Sequence, residues 1–203
     1  MNLENKKIVF FGDSITDTNK LKFEEYPYGM GYVNMFRAEV RELYDNPPII
    51  YNEGVGGDKT ENLIARLSTA LSHNPDIVVL FIGINDVWHP YEAGVMPNNK
   101  EILERLDYLC QEFTKKSRLI VILPFLFPID DFFNSLYPYY ESFKKEEIEY
   151  LTAKNYEYID MHNEMDKYVG VNGKRSVTKD SVHPTLLGHG IIAQTILEYL
   201  KNN

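Results

Sequence analysis

Lys7-Ile8-Val9-Phe10-Phe11-Gly12-Asp13-Ser14-Ile15-Thr16 is a short apolar run that stops on a glycine and turns polar within two residues. It is the first of five such runs, at 7–11, 49–52, 77–82, 119–123 and 156–159. Three are near-continuous in Val, Ile, Leu and Phe, the pattern of strands covered on both faces. Between them lie stretches with helical spacing. Residues 32–44 carry Val33, Phe36, Val40 and Leu43; 61–71 carry Leu63, Ile64, Leu67 and Leu71; 102–113 carry Ile102, Leu106, Leu109 and Phe113. A more polar helix is expected near 139–152, and 186–200 closes the chain. Strand and helix alternate five times, which argues for an α/β fold: a three-layer sandwich around a five-stranded parallel sheet, in flavodoxin-like order. No repeat or linker interrupts the pattern, so residues 1–203 are expected to form a single domain.

In such sheets ligands sit outside the carboxyl ends of the strands. The informative segments therefore follow the apolar runs: Gly12-Asp13-Ser14 after the first, 52–58 (Asn-Glu-Gly-Val-Gly-Gly-Asp) after the second, and Gly83-Ile84-Asn85-Asp86 after the third. These three should converge on one rim. The composition is that of a globular protein, 44% hydrophobic and 25% charged, and no run approaches the ~20 apolar residues of a membrane span. A formal charge of −9 argues against a nucleic-acid partner and for a neutral small-molecule substrate. Cys110 is the single cysteine, expected as a buried inert thiol on a helix. The N-terminal residues lack a signal peptide's apolar core, so a cytoplasmic location is expected.

Ser14 has a chemical partner at the far end of the chain, in Asp180-Ser181-Val182-His183-Pro184. A serine hydroxyl is a poor nucleophile until a base takes its proton. His183 is the natural base, and Asp180 can hold the imidazole in the right tautomer. Pro184 is expected to keep His183 extended and to sit in the first turn of the helix that follows. Acyl transfer also needs donors for the developing oxyanion. The candidates are the backbone N–H groups of Ser14 and Gly57 and the side-chain amide of Asn85.

Together these blocks resemble the GDSL-type esterases and lipases, also called SGNH hydrolases. The resemblance runs from residue 10 to about 190, with all four blocks in order. Carried over by position, it implies Ser14 as nucleophile, His183 as base, Asp180 as acid, and Ser14, Gly57 and Asn85 around the oxyanion. It also implies the flavodoxin-like sheet and ester hydrolysis with no metal or organic cofactor. Gly54 and Gly56 are alternative donors; Gly57 falls where the family's oxyanion glycine lies. Lys59 stands where a small hydroxyl residue is common, and it would add positive charge that favours an acidic substrate group. The family's range extends to carbohydrate deacetylation, short-chain esters, thioesters and lysophospholipids. Transfer of the acyl group to another alcohol would use the same site, and a non-catalytic binding module is the reading from another class. No amphipathic anchor is evident, which disfavours stable membrane association.

The surrounding residues divide less sharply. Asp13, His89, Phe125 and Phe127 are candidates for contact with substrate. The segment 124–140, rich in aromatics and proline, follows the fourth strand as a loop; it either walls the pocket or packs inward or against a second subunit. A homodimer is compatible with its tyrosines. Asp86 reads as a structural hydrogen-bonder, His73 and His162 as surface or loop residues, and His189 as a packing residue. Gly54 to Thr60 is not a phosphate loop, because Asp58 stands where that motif needs glycine. The Gly-x-Ser-x-Gly elbow of α/β-hydrolases is absent.

Overall fold

The computed structural model describes residues 1–20, 27–170 and 173–203. Its five strands are β1 (Lys7–Gly12), β2 (Ile49–Gly54), β3 (Ile77–Phe81), β4 (Arg118–Leu123) and β5 (Glu157–Asp160). They form one parallel sheet in the order β2-β1-β3-β4-β5. This is the expected flavodoxin-like order, with its switch point between β1 and β3. The helices are α1 (Ser14–Asp17), α2 (Tyr32–Leu43), α3 (Thr60–Ala65), α4 (Leu67–Ser72), α5 (Ile84–Glu92), α6 (Asn99–Thr114), α7 (Asp131–Ala153), α8 (Met161–Val169) and α9 (Leu186–Asn202).

Alternation along each strand divides the core in two. Ile8, Phe10, Val79, Phe81, Ile120 and Ile122 face one layer with residues of α2, α7, α8 and α9. Val9, Phe11, Val78, Leu80, Val121 and Leu123 face the other with residues of α3, α4 and α6. Both sides of the pleat are thus apolar, which is why the strands read as unbroken hydrophobic runs. The register pairs Gly12 with Gly54 on one side and with Phe81 on the other. Three strands therefore end level, and the segments after them emerge together.

Several boundaries differ from the sequence expectation. The helix expected over 61–71 is two helices meeting at Arg66, whose backbone (φ −115, ψ 18) is not helical. Helices α5 and α8, which no helical spacing had marked, begin after a two-residue link from β3 and immediately after β5. Pro184 precedes the α9 N-cap, Thr185, instead of entering the helix. The largest difference lies in 124–140. Only its first part is loop; α7 begins at Asp131 and runs through Pro138. Asp130 caps it, accepting the Phe133 N–H at 2.9 Å. An interior proline costs roughly 3 kcal/mol, offset here by a buried stripe of Phe133, Leu136, Tyr140, Phe143 and Leu151.

Candidate active site

β1 delivers Ser14 to the rim through a turn that only glycine fits. A Cβ on Gly12 would run into the Phe81 carbonyl oxygen and the Thr16 hydroxyl. Asp13 then caps α1, accepting the Ile15 N–H at 2.9 Å. Ser14 thereby lies at a helix N-terminus with its side chain half-buried. From the other end of the chain, His183 Nε2 lies 3.0 Å from Ser14 Oγ, and His183 Nδ1 lies 2.8 Å from Asp180 Oδ2. The other Asp180 oxygen accepts the backbone N–H groups of His183 at 2.7 Å and Val182 at 3.2 Å. Burial opposes ionisation of Asp180, but these bonds and the His183 ring outweigh it and hold the carboxyl below its usual range.

The Asp-x-x-His turn is braced in a way the sequence did not advertise. Ser181 takes φ +83, an uncommon backbone for a residue with a Cβ. Its buried hydroxyl accepts the Ile129 N–H at 3.0 Å, and its carbonyl accepts the Phe127 N–H at 3.0 Å. The loop after β4 therefore acts through its backbone. Its aromatic side chains turn inward. Phe125 packs on Phe81, and Phe127 stacks on His162 with ring centroids 4.4 Å apart. Both phenylalanines are 2% exposed or less, so they are core residues and not pocket walls. His162, expected at the surface or in a loop, is half-buried at the start of α8 under this stack.

On the opposite side of Ser14 are the other two blocks. Gly57 adopts φ +83, with nothing within 4 Å of where a Cβ would stand. Asn85, 2% exposed, begins α5 after Gly83. Its Nδ2 donates to the Asp58 carbonyl at 2.9 Å, and no other acceptor holds that amide among the described residues. Asp86 accepts both the N–H and the hydroxyl of Thr60, the latter at 2.6 Å, as its structural reading required. Lys59 pairs with Glu61 at 2.6 Å. The Glu61 carboxylate thus offsets the positive charge that was expected to favour an acidic substrate group.

A cavity of ≈ 460 Å³ opens beside Ser14 and His183, lined also by Asp17, Asn19, Gly56 and Lys179. His189 stands at its base, its Nδ1 accepting the Tyr32 N–H at 3.3 Å. Burial first, then Lys179 and His183, lowers the His189 pKa to about 4, so it packs as a neutral ring. Asp13 is 1% exposed and belongs to the helix cap, not to a substrate surface. His89 is half-buried against Trp88, and Trp88 in turn meets the His183 ring edge-on at 6.4 Å. Trp88 had no motif to mark it. Cys110 is buried, and burial pushes its thiol up, leaving it inert. No helix among the described residues is long and apolar enough to cross a membrane.

A parallel α/β sheet with a hydrogen-bonded Ser-His-Asp chain at its carboxyl edge defines a serine-hydrolase type of protein. The profile of the GDSL-like Lipase/Acylhydrolase family matches residues 10–191, and the chain belongs to that family. It is a carboxylic ester hydrolase of the GDSL type. An acetylxylan esterase of Geobacillus stearothermophilus is 25% identical over 205 residues, covering 95% of this chain and 92% of that protein. The crystal structure of Axe2, an acetylxylan esterase from the same organism, superposes with a TM-score of 0.82 at 24% identity, covering 98% of this chain and 95% of that one. The lipoprotein YqeF of Bacillus subtilis is 28% identical over 123 residues, 59% of this chain and 49% of its own length.

Proposed function

We propose that the protein hydrolyses small acyl esters, with acetylated carbohydrate as the favoured substrate, by way of a covalent acyl-enzyme on Ser14. The observation that carries this reading is the unbroken chain Ser14 Oγ to His183 Nε2 at 3.0 Å and His183 Nδ1 to Asp180 Oδ2 at 2.8 Å. In the first step Ser14 Oγ attacks the ester carbonyl carbon while His183 Nε2 takes its proton. Asp180 holds the imidazole and stabilises the imidazolium without taking the proton. The tetrahedral oxyanion is met by the N–H groups of Ser14 and Gly57 and by the free hydrogen of the Asn85 amide. Collapse expels the alcohol, which receives the proton from His183. Water, activated by the same imidazole, then releases the acid and restores Ser14.

Two observations favour an acetylated sugar. Asp17, Asn19 and Lys179 put hydrogen-bonding groups on the cavity beside Ser14, next to Ile15 and Pro184, which suits a hydroxyl-rich alcohol better than a long acyl chain. The relative that matches nearly the full chain is an acetylxylan esterase. The test compares wild type, Ser14→Ala and Asn85→Ala on p-nitrophenyl esters from acetate to palmitate and on acetylated xylo-oligosaccharides. Ser14→Ala should lose on the order of 10⁴-fold or more in turnover. Asn85→Ala should lose about 10²–10³. Acetate should be the best acyl group. Equal turnover by wild type and Ser14→Ala would overturn the proposal, and a palmitate optimum would overturn its substrate class.

A further inference from the structure

Arg66 lies outside every motif that marks the site, yet its guanidinium joins three parts of it. Nε donates to Asp58 Oδ2 at 2.6 Å, Nη1 to the Glu53 carbonyl at 2.8 Å, and Nη2 to the Gly12 carbonyl at 2.9 Å. The group also lies over the Phe11 ring, 4.5 Å from its centroid. Gly12 is the residue from which β1 turns into Asp13 and Ser14. Glu53 is where β2 runs out toward Gly57. Asp58 follows Gly57 directly, and its carbonyl holds the Asn85 amide at 2.9 Å. The Gly12 carbonyl also accepts the Val55 N–H at 3.0 Å. One planar cation is therefore shared between the nucleophile's strand and the loop that bears Gly57 and, through the Asp58 carbonyl, holds the Asn85 amide.

Otherwise that loop is held through its backbone, the Lys20 ammonium donating to the Gly54 carbonyl at 2.5 Å and the Asp58 N–H to the Val55 carbonyl at 3.3 Å. Gly56 and Gly57 carry no side chains, and a Cβ on Gly57 would meet nothing within 4 Å. A segment without packing takes its position from hydrogen bonds at its ends. At one end these are the Asp58 contacts; beyond it, Thr60 is gripped by Asp86. We infer that Arg66 is a positioning residue: acting through Asp58, it sets the separation between Ser14 and the oxyanion donors Asn85 and Gly57. This rests on the roles proposed for those residues. Lysine could not replace it, since a single ammonium cannot reach three acceptors spread over one plane.

An ion pair that merely stabilised the fold would lower the melting temperature and leave the kinetics of the folded fraction unchanged. A positioning residue changes kcat. The test measures p-nitrophenyl acetate hydrolysis by folded Arg66→Lys and Arg66→Met, alone and combined with Asn85→Ala. We expect kcat to fall about 10- to 100-fold in the single variants, the scale of a displaced catalytic group. KM should stay within about twofold and the acid limb of the pH profile should not move, because the His183–Asp180 pair is untouched. In the Asn85→Ala background the same Arg66→Met change should cost much less, since the donor it aligns is gone.

An unchanged kcat in Arg66→Met, or the same full loss in the Asn85→Ala background, overturns the inference. If neither Arg66 variant folds, Asp58→Asn is read in the same way, because it keeps both backbone groups and removes only the carboxylate held by Arg66. An active Ser14→Ala would sink the underlying site reading. An inactive Ser14→Ala beside a fully active Arg66→Met would sink the positioning role alone.

Discussion

Asp13 and Ser14 are neighbours in opposite circumstances. Ser14 reaches the cavity, whereas Asp13 is 1% exposed, with one carboxylate oxygen capping α1 and the other, Oδ2, without a partner among the described residues. Burial, reinforced by Asp86 and Asp58 and opposed by the Ile15 N–H, raises its pKa to about 7. A carboxyl whose folded pKa is raised binds more protons folded than unfolded between about pH 4 and pH 7. Its contribution to stability is intact below pH 4 and is lost as the pH climbs through 7. Asp13→Asn keeps the capping oxygen and removes the charge. It should raise stability at pH 8 by on the order of 2 kcal/mol, with the difference from wild type closing near pH 4. Urea unfolding at the two pH values measures this, and a difference independent of pH would refute it. The residues that chemistry selects by type, Ser14, Asn85, Asp180 and His183, were legible because each follows a strand or precedes a helix in a short block. Ser181, Trp88 and Arg66 were not. Ser181 meets the Ile129 N–H, Trp88 the His183 ring and Arg66 the Gly12 carbonyl, each more than 50 residues away along the chain, and no local pattern records those meetings.

The element least legible was α7. A run of aromatics punctuated by proline has no clear period, and Pro138 argued for a loop. Tertiary packing decides otherwise, because Phe133, Leu136, Tyr140 and Phe143 pack into one core layer and Leu151 into the other. By contrast, β1, β3 and β4 could be read directly, since burial on both faces removes the polar alternation that complicates edge strands. The same inner face of α7 holds Glu147, which is fully buried, with neither carboxyl oxygen partnered among the described residues. Burial, then the charges of Asp86 and Asp160, pushes its pKa well above the ordinary carboxyl range. Its stabilising contribution is greatest in acid and is lost as the pH rises from the unfolded carboxyl range toward the raised folded value. Glu147→Met keeps the length and the helix propensity and removes the unmatched polar group. It should stabilise the protein by about 1–3 kcal/mol at pH 8 and by less at pH 4. Chemical denaturation of the two proteins checks this; a destabilised Met variant would mean that Glu147 has a partner in solution that the carboxyl needs.

Across the whole molecule, the level ends of β1, β2 and β3 bring three blocks onto one rim, the 180–183 turn, braced by the loop after β4, joins them, and the net charge is −9. The Lys59 ammonium is tied to Glu61 at 2.6 Å, and Asp17 and Asp180 stand on the cavity with Lys179. Lys179 makes no ion pair among the described residues, and it is the rim cation set against the negative charge of the molecule. The field of that net charge acts on the approach of charged substrates and not on neutral ones. Raising ionic strength from about 0.01 M to about 0.15 M shortens the screening length from ~30 Å to ~8 Å. For a neutral ester such as p-nitrophenyl acetate, kcat/KM should then change by less than about 1.5-fold, as no charge is steered. For an anionic ester such as p-nitrophenyl hemisuccinate, it should rise several-fold as repulsion is screened, mainly through KM. Should the anionic ester instead lose activity with salt, the rim would be attracting anions locally, and Lys179, exposed at the cavity mouth, would be the cation to replace first. A salt-insensitive anionic ester would show that the net charge is too remote from the site to steer anything. The three outcomes separate the global field from the local one, and the first follows from the charges as the fold arranges them.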